Sequence, residues 1–540
     1  MTCADPAMKP DGLGVARTVG LAAIVGASSA CALRLVPWWA LLPICIAVYE
    51  LVAALYDRHF FGLGRVVKRP SPPEAFAKPD RVFTWQELAE HNSEESAWIA
   101  VDGKVYDITE FVERHPGGRE LLLLAVGREA TELVSSYHPF TDAPRTVLKK
   151  YLIGSLATFE HPVFRPTRGF YREAAGAVKA HLAARKLDAK DPWRAVARMA
   201  PVYVVFAAAY AVGYCARDVW WPTRVLAAML LGCCQGLPLV GWMHDASHGS
   251  IGHSERWWWN VGRFSLDYVS GSSMLSWRNQ HVLGHHVYTN VMGADPGPPD
   301  AARRRPAAGL VPEQVWHAIY KYQHLYLPPL YGILAFKSRF GDVLDVFPHR
   351  RNGPIRVNPI SVQDYLRMAS SKFVWFFYRV VVPLTFFRAA VGRREFIGVV
   401  FPDGVHDGYW LAFNFQVSHV SDGVEFLFTD ASKRDADKFP GMVVEDEWAL
   451  KQLTTSLDYG HRQVVPTYLS GALNYQSVHH LFPSVSQYLY PEITPVVMEV
   501  ARKYGVEFNV LPDFPSAFAA HLRHLKKLGA EGKPAEFKLD

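Results

Sequence analysis

Gln280-His281-Val282-Leu283-Gly284-His285-His286-Val287-Tyr288-Thr289-Asn290 crowds three histidines into about one and a half helical turns. A helix advances about 100° per residue, so His281 and His285 are expected on one face and His286 on its shoulder, reaching a second nearby point. Imidazole is a common ligand for first-row transition metals, and three in one segment suit more than one ion if matching pairs recur. They do recur. His244-Asp245-Ala246-Ser247-His248 repeats the i, i+4 spacing, and Gln476-Ser477-Val478-His479-His480 sets an amide and two imidazoles at i, i+3 and i+4. His419 closes the apolar run 410–420, and with it eight of the 22 histidines fall in these segments.

Eight imidazoles and one amide oxygen exceed the needs of a single tetrahedral zinc, and the set lacks the cysteine or carboxylate that zinc or magnesium often takes. It suffices for two neighbouring irons with positions left for oxygen. Asp245 and Asp295 are available as acceptors that orient ring N–H groups, Asp245 alternatively as the partner of a nearby cation.

Half of the 540 residues are hydrophobic, a high share for a chain with long polar stretches, so the apolar residues must be concentrated. The runs 201–215 and 225–243 are long enough, or nearly so, to enter a hydrocarbon core of about 30 Å, which predicts an integral membrane protein with soluble parts. The formal charge is +6, and its Arg residues gather in connecting segments, at Arg303 to Arg305, Arg350 with Arg351, and Arg393 with Arg394. That pattern fits the positive-inside rule. It does not fit nucleic-acid binding, since no basic helix with interleaved aromatics accompanies it. The six cysteines, Cys3, Cys31, Cys45, Cys215, Cys233 and Cys234, lie in the amino-terminal region or in apolar runs, without disulfide-framework or metal spacing.

Residues 14–56 are largely apolar and admit a signal peptide, one anchor or a hairpin; without a small-residue cleavage site, a retained hairpin within residues 1–64 is the expectation. The proline-rich segment 65–81 reads as a linker. From Val82 the pattern becomes that of a compact module: a short helix at 84–91, a strand through Trp98-Ile99-Ala100-Val101, a turn at Asp102-Gly103 and a second strand at Val105-Tyr106-Asp107. His115-Pro116-Gly117-Gly118 comes next, then an apolar helix at 120–126, and His138 in Ser135-Ser136-Tyr137-His138-Pro139-Phe140. Two histidines flanking a leucine cluster suit a haem held from both faces, which leaves no open position and favours electron transfer. Residues 157–198 form an amphipathic connection, free to lie on a membrane surface or to pack on the domain that succeeds it in the chain.

Residues 82–156 resemble the cytochrome b5 haem-binding domain through the HPGG tetrapeptide and the later histidine. The resemblance implies His115 and His138 as axial ligands of haem b. Residues 170–524 resemble the membrane-bound fatty acid desaturases through HDASH, QHVLGHH and QSVHH. Glutamine at the head of the last box marks the front-end group and its sphingolipid relatives. What this implies is a mostly α-helical membrane protein, a histidine-box di-iron bundle with a cytosolic cap, plus a small α+β haem domain. The desaturase domain is expected over 199–525 and a polar tail over 526–540. The implied metal ligands are His244, His248, His281, His285, His286, His419, Gln476, His479 and His480, with His419 matching an additional ligand upstream of the third box.

The resemblance further implies two non-haem irons, O₂ as co-substrate, and cytochrome b5 reductase as electron donor. The expected substrate is a polyunsaturated acyl chain on a lipid or on CoA, bound in an apolar tunnel, within a membrane that is expected to be the endoplasmic reticulum, with haem and histidine boxes on the cytosolic side. The new cis double bond would lie between an existing one and the carboxyl end, of the delta-5 or delta-4 sort. A sphingolipid long-chain-base desaturase and a membrane di-iron hydroxylase share most of these features. A membrane-anchored haem carrier with degenerate histidine segments is a third reading, opposed by three intact boxes.

Overall fold

The computed structural model describes residues 80–165, 169–297, 308–311, 314, 316–386, 393–427 and 443–530. The expected amino-terminal hairpin and nearly all of the proline-rich linker lie outside them.

The haem module is built as its pattern predicts. Thr84 caps the helix Trp85–Glu90: its side chain accepts from the Glu87 N–H, while the Glu87 carboxylate accepts from the Thr84 N–H at 2.8 Å, so two otherwise unpaired donors are satisfied reciprocally. Strands Ser96–Val101 and Lys104–Asp107 pair antiparallel across the Asp102-Gly103 turn, where both residues take positive φ. They join a five-stranded sheet whose spatial order is Val82–Phe83, Leu152–Leu156, Lys104–Asp107, Ser96–Val101, Asn92–Ser93. The helices Arg119–Ala125 and Thr131–Tyr137 come after the HPGG turn.

The remainder is mainly helical, with three short two-stranded pairings among the described residues. Two helices among the described residues, Trp193–Cys215 and Trp221–Ser247, are long and apolar enough to cross a membrane. A third long helix, Arg393–His419, packs against the second. Gly232 and Gly236, four residues apart, allow this approach: a Cβ on Gly232 would meet the Asp403 carbonyl oxygen at 2.2 Å, and one on Gly236 the Trp410 side chain at 2.6 Å. Gln235 of the second helix donates to Asp403 of the third at 2.8 Å, and Arg339, on the separate helix Leu334–Leu344, pairs with Asp407 at 2.5 Å.

The segment 360–386 belongs to a second compact unit. Its helix Val362–Phe376 starts at Ser361, whose side chain accepts from the Asp364 N–H.

Of the two positions open to the connection after residue 157, the structure shows packing on the domain that succeeds it in the chain. Strand Val163–Arg165 pairs with Val443–Glu447, and helix Phe170–Ala184 buries Phe170, Ala174, Val178 and Leu182 in the core that holds Val478 and Leu481 of the third box. Val282, Leu283 and Val287 of the second box also share one apolar cluster with Val126, Ala130 and Leu133 of the haem module. The haem module is therefore packed onto the histidine segments directly. At the other end, helix Phe514–Ala530 continues five residues into the stretch 526–540 expected as a polar tail.

Candidate metal centre and haem site

Each histidine box is delivered by a break in regular helix. Before HDASH, the widened turn Leu239–Met243 contains Gly241 at φ −84°, ψ −116°, a kink that swings His244 off the axis of the apolar helix. The second box lies on another widened turn, Arg278–His285, where the His286 N–H bonds to the His281 carbonyl five residues back. The third sits on the short helix Gln476–Leu481. Gly471, at φ +62°, brings this helix against the first kink, since a Cβ there would lie 2.1 Å from the Val240 carbonyl oxygen. Gly471→Ala combines that clash with about 1–2 kcal/mol of left-handed strain. It is expected to lower the melting temperature and empty the non-haem metal site while sparing the haem spectrum, as calorimetry and iron analysis will read.

All eight predicted histidines come together, in two abutting groups. His244, His248, His281, His286 and His479 form one, and His285, His419 and His480 the other, with candidate ligand atoms inside each group within 4.8 Å of one another. The groups touch where the His286 and His480 rings stack, centroids 4.3 Å apart. This corrects the helical-wheel expectation. His281 and His286 share a group, and His285 belongs to the other, because the five-residue backbone bond of the widened turn sets 286 over 281.

The inward nitrogens have the spacing of ligands around a cation. His244 and His281 Nε2 are 2.8 Å apart, His286 and His281 Nε2 3.1 Å, and His285 and His419 Nε2 3.3 Å. Metal–nitrogen bonds of about 2.1 Å put adjacent ligand atoms roughly 3.0–3.4 Å apart. His248 Nε2, His479 Nε2 and Gln476 Oε1 are buried without a hydrogen-bond partner, which is costly unless a cation accepts their lone pairs. The Gln476 amide nitrogen lies 2.8 Å from His419 Nε2 and 3.0 Å from His480 Nε2; a half-turn of the amide puts its oxygen there instead. Burial, reinforced by neighbouring imidazoles, holds His281, His286, His479 and His480 well below the usual imidazole range, so the rings are neutral and suited to ligation. The residues present fit two metal ions.

An outer layer fixes the rings. Asp295 faces His285 Nδ1 at 3.2 Å and also accepts from the Asn290 and Gly297 N–H groups. Gln452 Oε1 lies 2.9 Å from His480 Nδ1, the Tyr490 hydroxyl 3.0 Å from His479 Nδ1, the Thr455 carbonyl 3.2 Å from His419 Nδ1, and the Tyr137 hydroxyl 2.7 Å from His248 Nδ1. Asp245 does something else: its carboxylate accepts from the Gln487 N–H and the Ser486 hydroxyl, tying the first box to the turn after the third. Of these partners the sequence points to Asp295 alone. Tyr137 has its position beside His138 as a signal, while Gln452 and Tyr490 are single residues without one. Asp295→Asn is expected to weaken non-haem metal retention by about 10–100-fold, measured by chelator competition, because the Nδ1–H of His285 loses its anionic acceptor.

In the haem module the His115 and His138 rings lie with centroids 6.2 Å apart and planes at 68°, edge toward ring. Imidazoles bonded at about 2 Å on opposite sides of one metal place their centroids roughly 6 Å apart. His115 Nδ1 lies 2.7 Å from the Gly118 carbonyl and His138 Nδ1 3.0 Å from the Val134 carbonyl, so each Nδ1–H donates to backbone and each Nε2 is left for a metal. Burial lowers the pKa of both rings, keeping them neutral. Gly117 is required by space, because a Cβ there would stand 2.9 Å from the His115 ring. These residues fit a haem.

The fold is thus that of a helical, membrane-associated protein fused to a haem-binding module, with a buried histidine centre at the seam. Residues 219–512 match the family described as fatty acid desaturase, and residues 84–157 match the cytochrome b5-like haem/steroid binding domain. The chain is 39% identical over 451 residues to "Delta(5) fatty acid desaturase A" of Dictyostelium discoideum, covering 83% of this chain and 94% of that one. It is 36% identical over 461 residues to "Acyl-lipid (8-3)-desaturase" of Mortierella alpina, covering 84% and 98%. The chain belongs to the fatty acid desaturase family. It is an oxidoreductase acting on lipid, with a cytochrome b5-like domain that implies haem and electron transfer.

Proposed function

We propose that the protein introduces a cis double bond into a polyunsaturated acyl chain between an existing double bond and the carboxyl end, at the delta-5 position. The observation that carries this reading is the pair of abutting histidine groups packed directly against the haem module. The delta-5 position is preferred over delta-4 because the relative from Dictyostelium discoideum, alike over nearly its whole length, bears the delta-5 name.

In this reading His244, His248, His281, His286 and His479 hold one iron, and His285, His419, His480 and Gln476 the other. His115 and His138 hold haem b. When bound, the irons supply the redox capacity to use O₂ against an unactivated C–H bond. Two hydrogens leave adjacent methylenes, and with O₂, two electrons and two protons the products are the alkene and two waters. The outer partners hold each ring so that its Nε2 faces inward. Trp277 stacks on His281 with centroids 4.4 Å apart and meets Phe415 at 5.4 Å, an aromatic wall that keeps water from that side of the centre.

The working division is a haem module over 82–156 and a catalytic part over 199–525. Cytochrome b5 reductase is the donor, and the membrane is the endoplasmic reticulum, with haem and histidines facing the cytosol. Expression in yeast fed with several polyunsaturated acids tests the proposal. New alkenes at the fifth carbon support it. Hydroxy acids without alkenes, or desaturated sphingoid bases alone, overturn it in favour of a hydroxylase or a long-chain-base desaturase.

A further inference from the structure

The seam between haem module and histidine centre is built from the residues beside the two axial histidines. On one side, Glu255 accepts from the Glu120 N–H at 3.0 Å, just after the HPGG turn. Its carboxylate occupies the space that a Cβ on Gly118 would need, which with φ +86° makes glycine necessary there. Leu121, one residue on, packs against Ala246 and Trp258 around the HDASH segment. On the other side, Tyr137 immediately precedes His138, and its hydroxyl lies 2.7 Å from Nδ1 of His248, a fully buried ring. His248 Nε2 has no protein partner, so with a metal at Nε2 the proton sits on Nδ1 and is donated to the Tyr137 oxygen. Arg278, 1% exposed and 3.9 Å above the Trp259 ring, adds a buried positive charge acting on both Tyr137 and His248.

We infer that Tyr137 is a positioning residue that couples the two redox centres of one chain: it orients His248 toward its metal and makes the His138–Tyr137–His248 contact the route by which electrons pass from the haem to the histidine centre. This rests on the metal and haem assignments above. Each transfer moves one electron, oxidising the haem by one unit and reducing the metal held by His248 by one unit; two transfers meet the demand of one double bond. No mobile carrier has to dock between haem and metal, because the acceptor's own ligand already touches the residue next to the donor's ligand.

The test uses the full-length holoprotein and Tyr137→Phe, which keeps the ring and deletes the hydroxyl. Haem is reduced beforehand and its reoxidation followed by stopped-flow absorbance on mixing with O₂ and acyl substrate. Rates are expressed per molecule retaining two non-haem irons, so that loss of metal alone is not counted. A fall of about tenfold or more is expected, the range typical for removal of a ligand-orienting partner. The haem spectrum and haem reduction potential should be unchanged, and kcat should fall with KM for the acyl substrate unaltered. Reoxidation within twofold of the parent, or a change confined to KM, overturns the inference. A parent chain that itself lacks non-haem iron overturns the metal assignment instead, so the two failures are told apart.

Discussion

His285→Ala is expected to abolish desaturation while leaving the reduced haem spectrum intact. His285 supplies one of three imidazoles in its group, and its Nε2 faces His419 Nε2 at 3.3 Å. Removing it leaves two imidazoles and one amide, His419, His480 and Gln476, a neutral set that would hold an iron weakly. It also strips Asp295 of its ring partner, although the Asn290 and Gly297 N–H groups still satisfy that carboxylate and keep the loop folded. The Thr289 hydroxyl bonds to the His285 carbonyl, a backbone contact that survives the substitution. The five-histidine group keeps all its members. Non-haem iron should therefore fall by about half, and fatty-acid analysis should find no product. Full product formation would remove His285 from the metal assignment.

What the sequence makes legible is set by how local each signal is. HPGG and the histidine boxes carry their spacing within a few residues, so the histidines that the fold gathers into two groups are visible as candidates from the residues alone. The division of ligands between groups is not, because a widened turn at Arg278–His285 is a backbone event that a helical wheel at about 100° per residue does not anticipate. The shared core is also hidden. Val282, Leu283 and Val287 are equally apolar whether they face lipid, a helix bundle or the haem module, and only the fold picks the third. Strand Val163–Arg165 has three residues and a partner 280 positions away, too little alternation to read as a strand. Partners such as Gln452 and Tyr490 are isolated in sequence and become meaningful only when His480 and His479 arrive beside them. Hydropathy does place the long apolar helices, since a run near the length of a membrane span needs no tertiary information.

His115→Ala isolates the other half of the chemistry. The His115 ring is held by the Gly118 carbonyl and fitted against Gly117, so its loss removes one of the two proposed axial ligands and leaves a void next to the glycine pair. With His138 alone, a haem held chiefly by two imidazoles is released or loses its low-spin spectrum. The eight histidines of the metal centre are untouched, and the Tyr137 contact to His248 lies on the His138 side of the module. Non-haem iron should therefore stay at the parental level while the haem absorption disappears, the reverse of the His285→Ala pattern. Product formation should fall because the internal electron supply is cut, although the site that consumes the electrons is complete. This reciprocity is the sharpest check on the two-centre reading, since a general loss of folding would remove both metals together. Haem retained at parental stoichiometry would exclude His115 as an axial ligand.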